Sequence, residues 1–285
     1  MKAASVFTYT LGKSLYIPLT SRCNSLTLPQ TRGVNFVLPN SVISSLLNVR
    51  LAEDHQSDNV SISDYDSQIT LEERSILPPN NLSWKVEEPW TNQSVASKPI
   101  PEFPSTHALF EEVKHHLELH VHDIDSIVFA GEGEPTLRLE ALETLASQIH
   151  CFMKTYNTND MNMMKKPMRI VTNGLVLCTH PEKERKNVLY RLFSSGVQTL
   201  SIALMTSSPH QYETLMQPIG YSCSSNDDDD SHIHSKLCEL VQDAVRIGFN
   251  VELTGVDHEY VDKQLANNLA QELGASSFRF RPYFP

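Results

Sequence analysis

Paired cysteines are scarce in this 285-residue chain. Its five, Cys23, Cys151, Cys178, Cys223 and Cys238, are odd in number and widely spaced, and no two form a C-x2-C pair. That fits reduced thiols better than a disulfide framework, so a cytoplasmic protein is expected. Long apolar runs are missing too: none approaches the ~18 residues of a membrane span, and no membrane contact is expected. No signal-peptide pattern opens the chain, where Lys2 is the only early charge and Thr8 and Thr10 soon follow. Positive charge is in short supply, with 23 Lys and Arg against 34 Asp and Glu and a net charge of -11. That balance argues against a broad electrostatic grip on nucleic acid. The H-E-x-x-H, G-x-S-x-G and Walker signatures are absent.

What the chain does have is alternation. Short runs, most of them dense in Ile, Val, Leu and Phe, occur at Leu15–Leu19, Ser126–Ala130, Met168–Thr172, Thr199–Leu204, Asn250–Gly255 and Ser277–Pro282. Such runs read as strands buried on both faces. Amphipathic helices are predicted between them, at His107–Val121, Leu139–Thr155, Glu182–Ser195, Ser235–Ile247 and Val261–Leu273. A further helix over Pro39–Glu53 starts at a proline. Ser195-Gly196 and Leu273-Gly274 supply helix stops. Six strands with five intervening helices predict an α/β fold, a parallel sheet curled into a partial (βα)6 TIM-type barrel. A doubly wound open sheet is the other arrangement that alternation allows.

Residues 1–285 read as one domain with three insertions. The largest, residues 54–104, holds six prolines, many Ser and Asn, and both tryptophans, Trp84 and Trp90. Its composition predicts a long, mostly irregular segment after the first strand. Asn157–Lys166 is rich in Asn and Met, and residues 221–234 carry the acidic run Asp227–Asp230 in what reads as a solvated loop.

Functional groups in α/β sheets gather at the C-terminal ends of the strands, and three segments fall there. Gly131-Glu132-Gly133-Glu134-Pro135-Thr136 follows the second strand. Its glycines allow close backbone approach, Glu134 can pair with an ammonium group, and Thr136 adds a hydroxyl. Read blandly, it is a βα turn in which Thr136 caps the next helix. Thr172-Asn173-Gly174 ends the third strand, where Asn173 offers a donor and an acceptor. The bland reading is a turn with Asn and Gly at positive φ. Arg279, Arg281 and Tyr283 alternate with Phe278, Phe280 and Pro282, so the two cations and the tyrosine share one face of a strand. That face either lines the barrel, where an anion can sit, or is a solvated edge. His115, His116, His120 and His122 form a cluster read as a helix surface.

Two stretches carry a family likeness. Ser126–Arg138 (SIVFAGEGEPTLR) and Ser14–Arg32 (SLYIPLTSRCNSLTLPQTR) resemble strand-and-loop segments of radical S-adenosylmethionine (SAM) enzymes, nearest to the small proteins associated with TatD-type nucleases. The resemblance runs over about Tyr9–Arg32 and His107–Pro285. It implies a half-barrel whose first strand leads into a C-x3-C-x2-C loop holding a [4Fe–4S] cluster. It also implies SAM contacts from Gly131, Gly133, Glu134, Pro135, Thr136, Thr172, Asn173, Gly174, Ser201, Arg279 and Arg281, and a TatD-type nuclease as a partner to consider. The chain departs from the family at the cluster. Cys23 fits the first metal position, but Thr27 and Gln30 stand at the other two and cannot supply thiolates. On the fourth strand Ala203 and Met205 replace expected polar groups, leaving Ser201. The expectation is therefore a degenerate radical-SAM-like barrel without an intact cluster, retained as a binding or regulatory module. The alternatives are a radical enzyme whose cluster is completed by Cys178 or a partner's thiols, a cluster-free SAM- or nucleotide-using enzyme, and an interaction protein whose Pro-rich insertion recruits a partner.

Overall fold

The structure is a computed structural model that describes residues 7–54, 104–156, 166–219 and 233–285. Most of the insertion expected at 54–104, with both tryptophans, lies outside the described residues, as do 157–165 and the acidic run.

Among the described residues, seven strands form one sheet in sequential order: β1 (Tyr9–Leu11), β2 (Ser14–Ile17), β3 (Ser126–Phe129), β4 (Met168–Thr172), β5 (Val197–Ile202), β6 (Asn250–Asp257) and β7 (Ser277–Pro282). β1 and β2 pair antiparallel as a hairpin turning at Gly12, whose φ is 59°. Every other neighbouring pair is parallel. The helices are α1 (Asn40–Asp54), α2 (Thr106–Leu119), α3 (Leu139–Tyr156), α4 (Leu175–Thr179), α5 (Glu182–Ser194), α6 (Pro209–Met216), α7 (Ile233–Ile247) and α8 (Lys263–Glu272).

The order of the parallel strands carries the architecture. Parallel crossovers are almost always right-handed, and a strand order that never reverses puts every crossover helix on the same face. The sheet then curls around the other face into an open half-barrel. This excludes the doubly wound alternative, which needs a reversal in strand order and helices on both faces. Leu15, Ile17, Ile127, Phe129, Ile170, Leu200, Ile202, Val251 and Leu253 point to the helical side. There they pack with Leu109, Leu117, Leu142, Leu145, Leu189, Leu192, Leu237 and Leu240. The alternate residues face the concave side: Tyr16, Val128, Arg169, Val171, Ser201, Glu252 and Thr254, with Arg279 in register with Thr254.

Several expected boundaries shift. The β1 hairpin strand and helices α4 and α6 add to the predicted elements, and β5 begins two residues early, at Val197. The insertion expected through His234 ends sooner, because α7 starts at Ile233 and buries both Ile233 and His234. Lys166, expected in an insertion, is 7% exposed and donates from its ammonium to the carbonyls of Val121 and Ile124.

Candidate functional site

The rim at the C-terminal ends of β2, β3 and β4 holds most of the expected cofactor residues, and they bond to one another. Glu134 is 3% exposed. Its Oε1 accepts from the Thr136 N–H (3.0 Å), the Thr136 hydroxyl (2.6 Å) and the Thr172 hydroxyl (2.7 Å), and its Oε2 accepts from the Asn173 N–H (2.7 Å). Burial pushes the Glu134 carboxyl above the usual carboxylate value, and these hydrogen bonds pull the other way. Glu134 therefore clamps the β3 rim to the β4 rim and caps the short 3-10 turn Pro135–Arg138 through its own side chain. The expected helix cap at Thr136 is replaced by this one.

Thr172 also accepts from the Gly174 N–H (2.8 Å), and Asn173 Oδ1 accepts from the Leu175 N–H (3.0 Å), which starts α4. Of the two residues that the bland turn reading puts at positive φ, Gly174 is (φ 77°) and Asn173 is not, and a Cβ on Gly174 would meet Leu237 Cδ2 at 2.6 Å. Asn173, 2% exposed, sends its Nδ2 to Asn24 Oδ1 (2.8 Å) and Ser25 Oγ (3.0 Å), with Cys23 Sγ at 3.7 Å.

The segment after β2 is thus drawn into the rim. Thr20, Ser21, Asn24, Ser25 and Thr27 are all buried. Loops usually stay at the surface because their polar groups need partners, and here the chain supplies them. The Glu134 N–H donates to Arg22 O (2.8 Å), Leu26 N–H to Met216 O (2.8 Å), and Ile219 N–H to Asn24 O (2.9 Å). The glycines admit this loop: a Cβ on Gly133 would collide with the Thr20 carbonyl oxygen and lie 2.5 Å from that of Arg22, and one on Gly131 would lie 2.6 Å from Pro18 Cβ. Glu132 is held by Arg50 of α1 through two hydrogen bonds, the Nε one at 3.0 Å. About 20 Å³ remains between Cys23, Leu28, Ala130, Gly133, Glu134 and Asn173, room for one water.

The two positions that would complete a cluster are occupied by a reciprocal cap. Gln30 Oε1 accepts from the Thr27 N–H (2.8 Å) and Thr27 Oγ1 from the Gln30 N–H (3.4 Å). This is the capping-box pattern, and it spans the turn that leads into the 3-10 segment Gln30–Arg32, whose own N-cap is Pro29 without a side-chain cap. Cys23 Sγ lies 3.6 Å from Ser25 Oγ, and burial pushes its thiol up to about 11. Cys178 is buried in α4 with its S–H toward Leu175 O (3.5 Å), and burial pushes it up to about 12. Among the described residues, no three His, Cys, Asp or Glu side chains gather as metal ligands. The donors present do not fit a cluster that needs three thiolates.

The concave face of β4 to β7 is a different environment. Glu252 of β6 accepts from Ser201 Oγ (2.8 Å) and pairs with Arg279 Nε (2.7 Å) and Arg169 Nη1 (3.6 Å). Burial pushes the Glu252 carboxyl up, but the Ser201 hydroxyl and the arginines outweigh it and hold the group below its ordinary value. Ser201 is thus spent on Glu252. Arg281 lies on the same face as Arg279, partly buried. Arg32, in the loop after β2, donates from Nε to Pro282 O (3.2 Å) and lies over the Phe36 ring at 4.1 Å. Sequence reasoning found Arg279, Arg281 and Ser201. It missed Arg32, Arg169 and Glu252; period-2 alternation on β4 and β6 was the available signal for Arg169 and Glu252, and Arg32, in a loop, had none. The histidine cluster is seen at the surface of α2, with His116 and His120 rings 6.1 Å apart.

No family model and no curated protein matches the sequence. Among solved structures, Streptococcus suis SuiB is similar at 15% identity and a TM-score of 0.42, over 62% of this chain and 34% of that one. The same protein bound to its precursor peptide SuiA gives 15% and 0.41, over 61% and 33%. The matched region thus spans about a third of SuiB, and likeness at that level does not establish a common fold. No described helix is long and apolar enough to cross a membrane.

Proposed function

We propose that this chain is a radical-SAM-like half-barrel that works as a binding or regulatory module, without a [4Fe–4S] cluster of its own. The observation that carries the reading is the reciprocal cap of Thr27 and Gln30 at the two missing cysteine positions. The closed rim adds support. Glu134 and Asn173, the groups expected to meet a SAM molecule, are spent on Thr136, Thr172, Asn24 and Ser25. A cluster completed by Cys178 would require a thiol 1% exposed to leave its helix packing. A TatD-type nuclease is the first partner to try, on the sequence resemblance alone.

The test is anaerobic reconstitution with iron and sulfide counted, followed by SAM titration of the same sample in a calorimeter. The reading expects neither stoichiometric iron nor SAM binding. About four iron and four sulfide per chain together with SAM binding would restore a radical enzyme. SAM binding without iron would instead support a cluster-free SAM-using protein.

A further inference from the structure

Among the described residues, Arg281 has no hydrogen-bond or ion-pair partner, although its guanidinium is partly buried. Arg279 precedes it by two residues on the same face of β7, and Arg32 Nε donates to the carbonyl of the next residue, Pro282 (3.2 Å); both cations repel it, and Glu252 attracts it. Arg169 completes the set through Glu252. Arg169, Arg279 and Arg281 share the concave face with one carboxylate, Glu252, and Arg32 adds a fourth guanidinium from the loop beside β7, so positive charge is in excess here in a chain whose net charge is -11. The nearest other acid on β6, Asp257, alternates onto the opposite face, where Lys263 Nζ holds it at 2.6 Å.

Charge of one sign concentrated in a partly buried concavity costs free energy that a bound counter-ion recovers. Burial and the adjacent Arg279 and Arg32 push the Arg281 guanidinium down to about 10. Arg32 and Arg279 are fixed in place, Arg32 by the Pro282 carbonyl and the Phe36 ring and Arg279 by Glu252, so neither must be ordered when a ligand arrives. Guanidiniums are planar forks that bind oxyanions bidentately. A phosphate ester carries about -1.5 to -2 charges and three acceptor oxygens, which matches this excess better than one carboxylate does.

We propose that Arg32, Arg279 and Arg281 form an oxyanion site on the concave face that takes the phosphate group of a small phosphorylated molecule. The proposal deepens the binding-module reading and rests on it. It places the surviving binding function on the β7 side of the half-barrel, away from the closed rim around Glu134.

The test is calorimetry of the full chain with inorganic phosphate, a nucleoside monophosphate and succinate, alongside Arg281→Ala and Arg281→Lys. The wild type is expected to bind phosphate or the monophosphate more tightly than succinate. Arg281→Ala should weaken that binding by about tenfold or more, the scale of one charge-assisted bond. Arg281→Lys should fall between, because it keeps the charge and loses the fork; it also serves if the alanine variant does not fold. Equal binding by wild type and Arg281→Lys, no phosphate binding by folded wild type, or succinate binding as tightly as phosphate would each overturn the proposal. So would binding confined to an oligonucleotide added in a parallel arm. Failure of this test with iron and SAM also absent sinks the phosphate site alone, whereas a loaded cluster with SAM sinks the binding-module reading beneath it.

Discussion

Replacing Glu134 by alanine separates a structural clamp from a ligand contact. The carboxylate is fully enclosed and receives hydrogen bonds from four donors on three residues. Alanine leaves the Asn173 N–H, the Thr172 and Thr136 hydroxyls and the Thr136 N–H to find other partners in a rim with room for one water. A buried donor left unsatisfied costs about 1–3 kcal/mol, and one water can rescue part of the set, so the expected loss is about 3–5 kcal/mol. For a chain of this size that is a fall in Tm of about 6–15 °C. Glu134→Gln should lose less, since its carbonyl oxygen still accepts while its NH2 faces a donor. Thermal and denaturant unfolding of the two variants read the effect directly. The reasoning is refuted if Glu134→Ala unfolds within about 0.5 kcal/mol of wild type, the range of ordinary surface changes. Loss of SAM binding without loss of stability would make Glu134 a ligand group.

Gly133→Ala should destabilise by about 2 kcal/mol or more, because its Cβ would press on the Thr20 and Arg22 backbone carbonyls and backbone yields poorly; chemical denaturation checks this. Arg50→Ala removes the guanidinium that pairs with the buried Glu132 and should cost about 3–5 kcal/mol, read in the same way. Thr27→Ala and Gln30→Ala should each cost about 0.5–2 kcal/mol and the double variant less than their sum, since each breaks the same reciprocal cap. Glu252 has a depressed value in the folded chain, so its contribution is present above its unfolded value and is lost as pH falls through the folded one. Glu252→Gln should therefore flatten the acid limb of a stability–pH curve below about pH 4.5, and an unchanged limb would contradict this.

Two strands were legible to the residue: Met168–Thr172, from its apolar run, and Ser277–Pro282, from its Phe/Arg alternation, begin and end as the sequence predicts. The β1 hairpin was missed although Gly12-Lys13 between short β-prone runs is a two-residue turn signal. α4, five residues long, is too short to show a helical period, and Gly174 at its start reads equally as a strand terminus. The residues of the rim were legible, but their partners were not. Asn173 meets Asn24 and Ser25 across about 150 positions of sequence, and no local pattern encodes that contact. The Thr27-x-x-Gln30 cap was visible in the sequence as a capping box, but was read only as two missing thiolates.

Hydrogen exchange at the rim amides tests the central claim most directly. If the chain's own side chains and backbone close the rim, the amides of Leu26, Glu134, Thr136 and Asn173 should exchange as slowly as those of the β3 and β4 strands, with or without SAM. Exchange at open-loop rates in the protein alone, slowing when SAM is added, would show a ligand site waiting to be filled and would contradict the account.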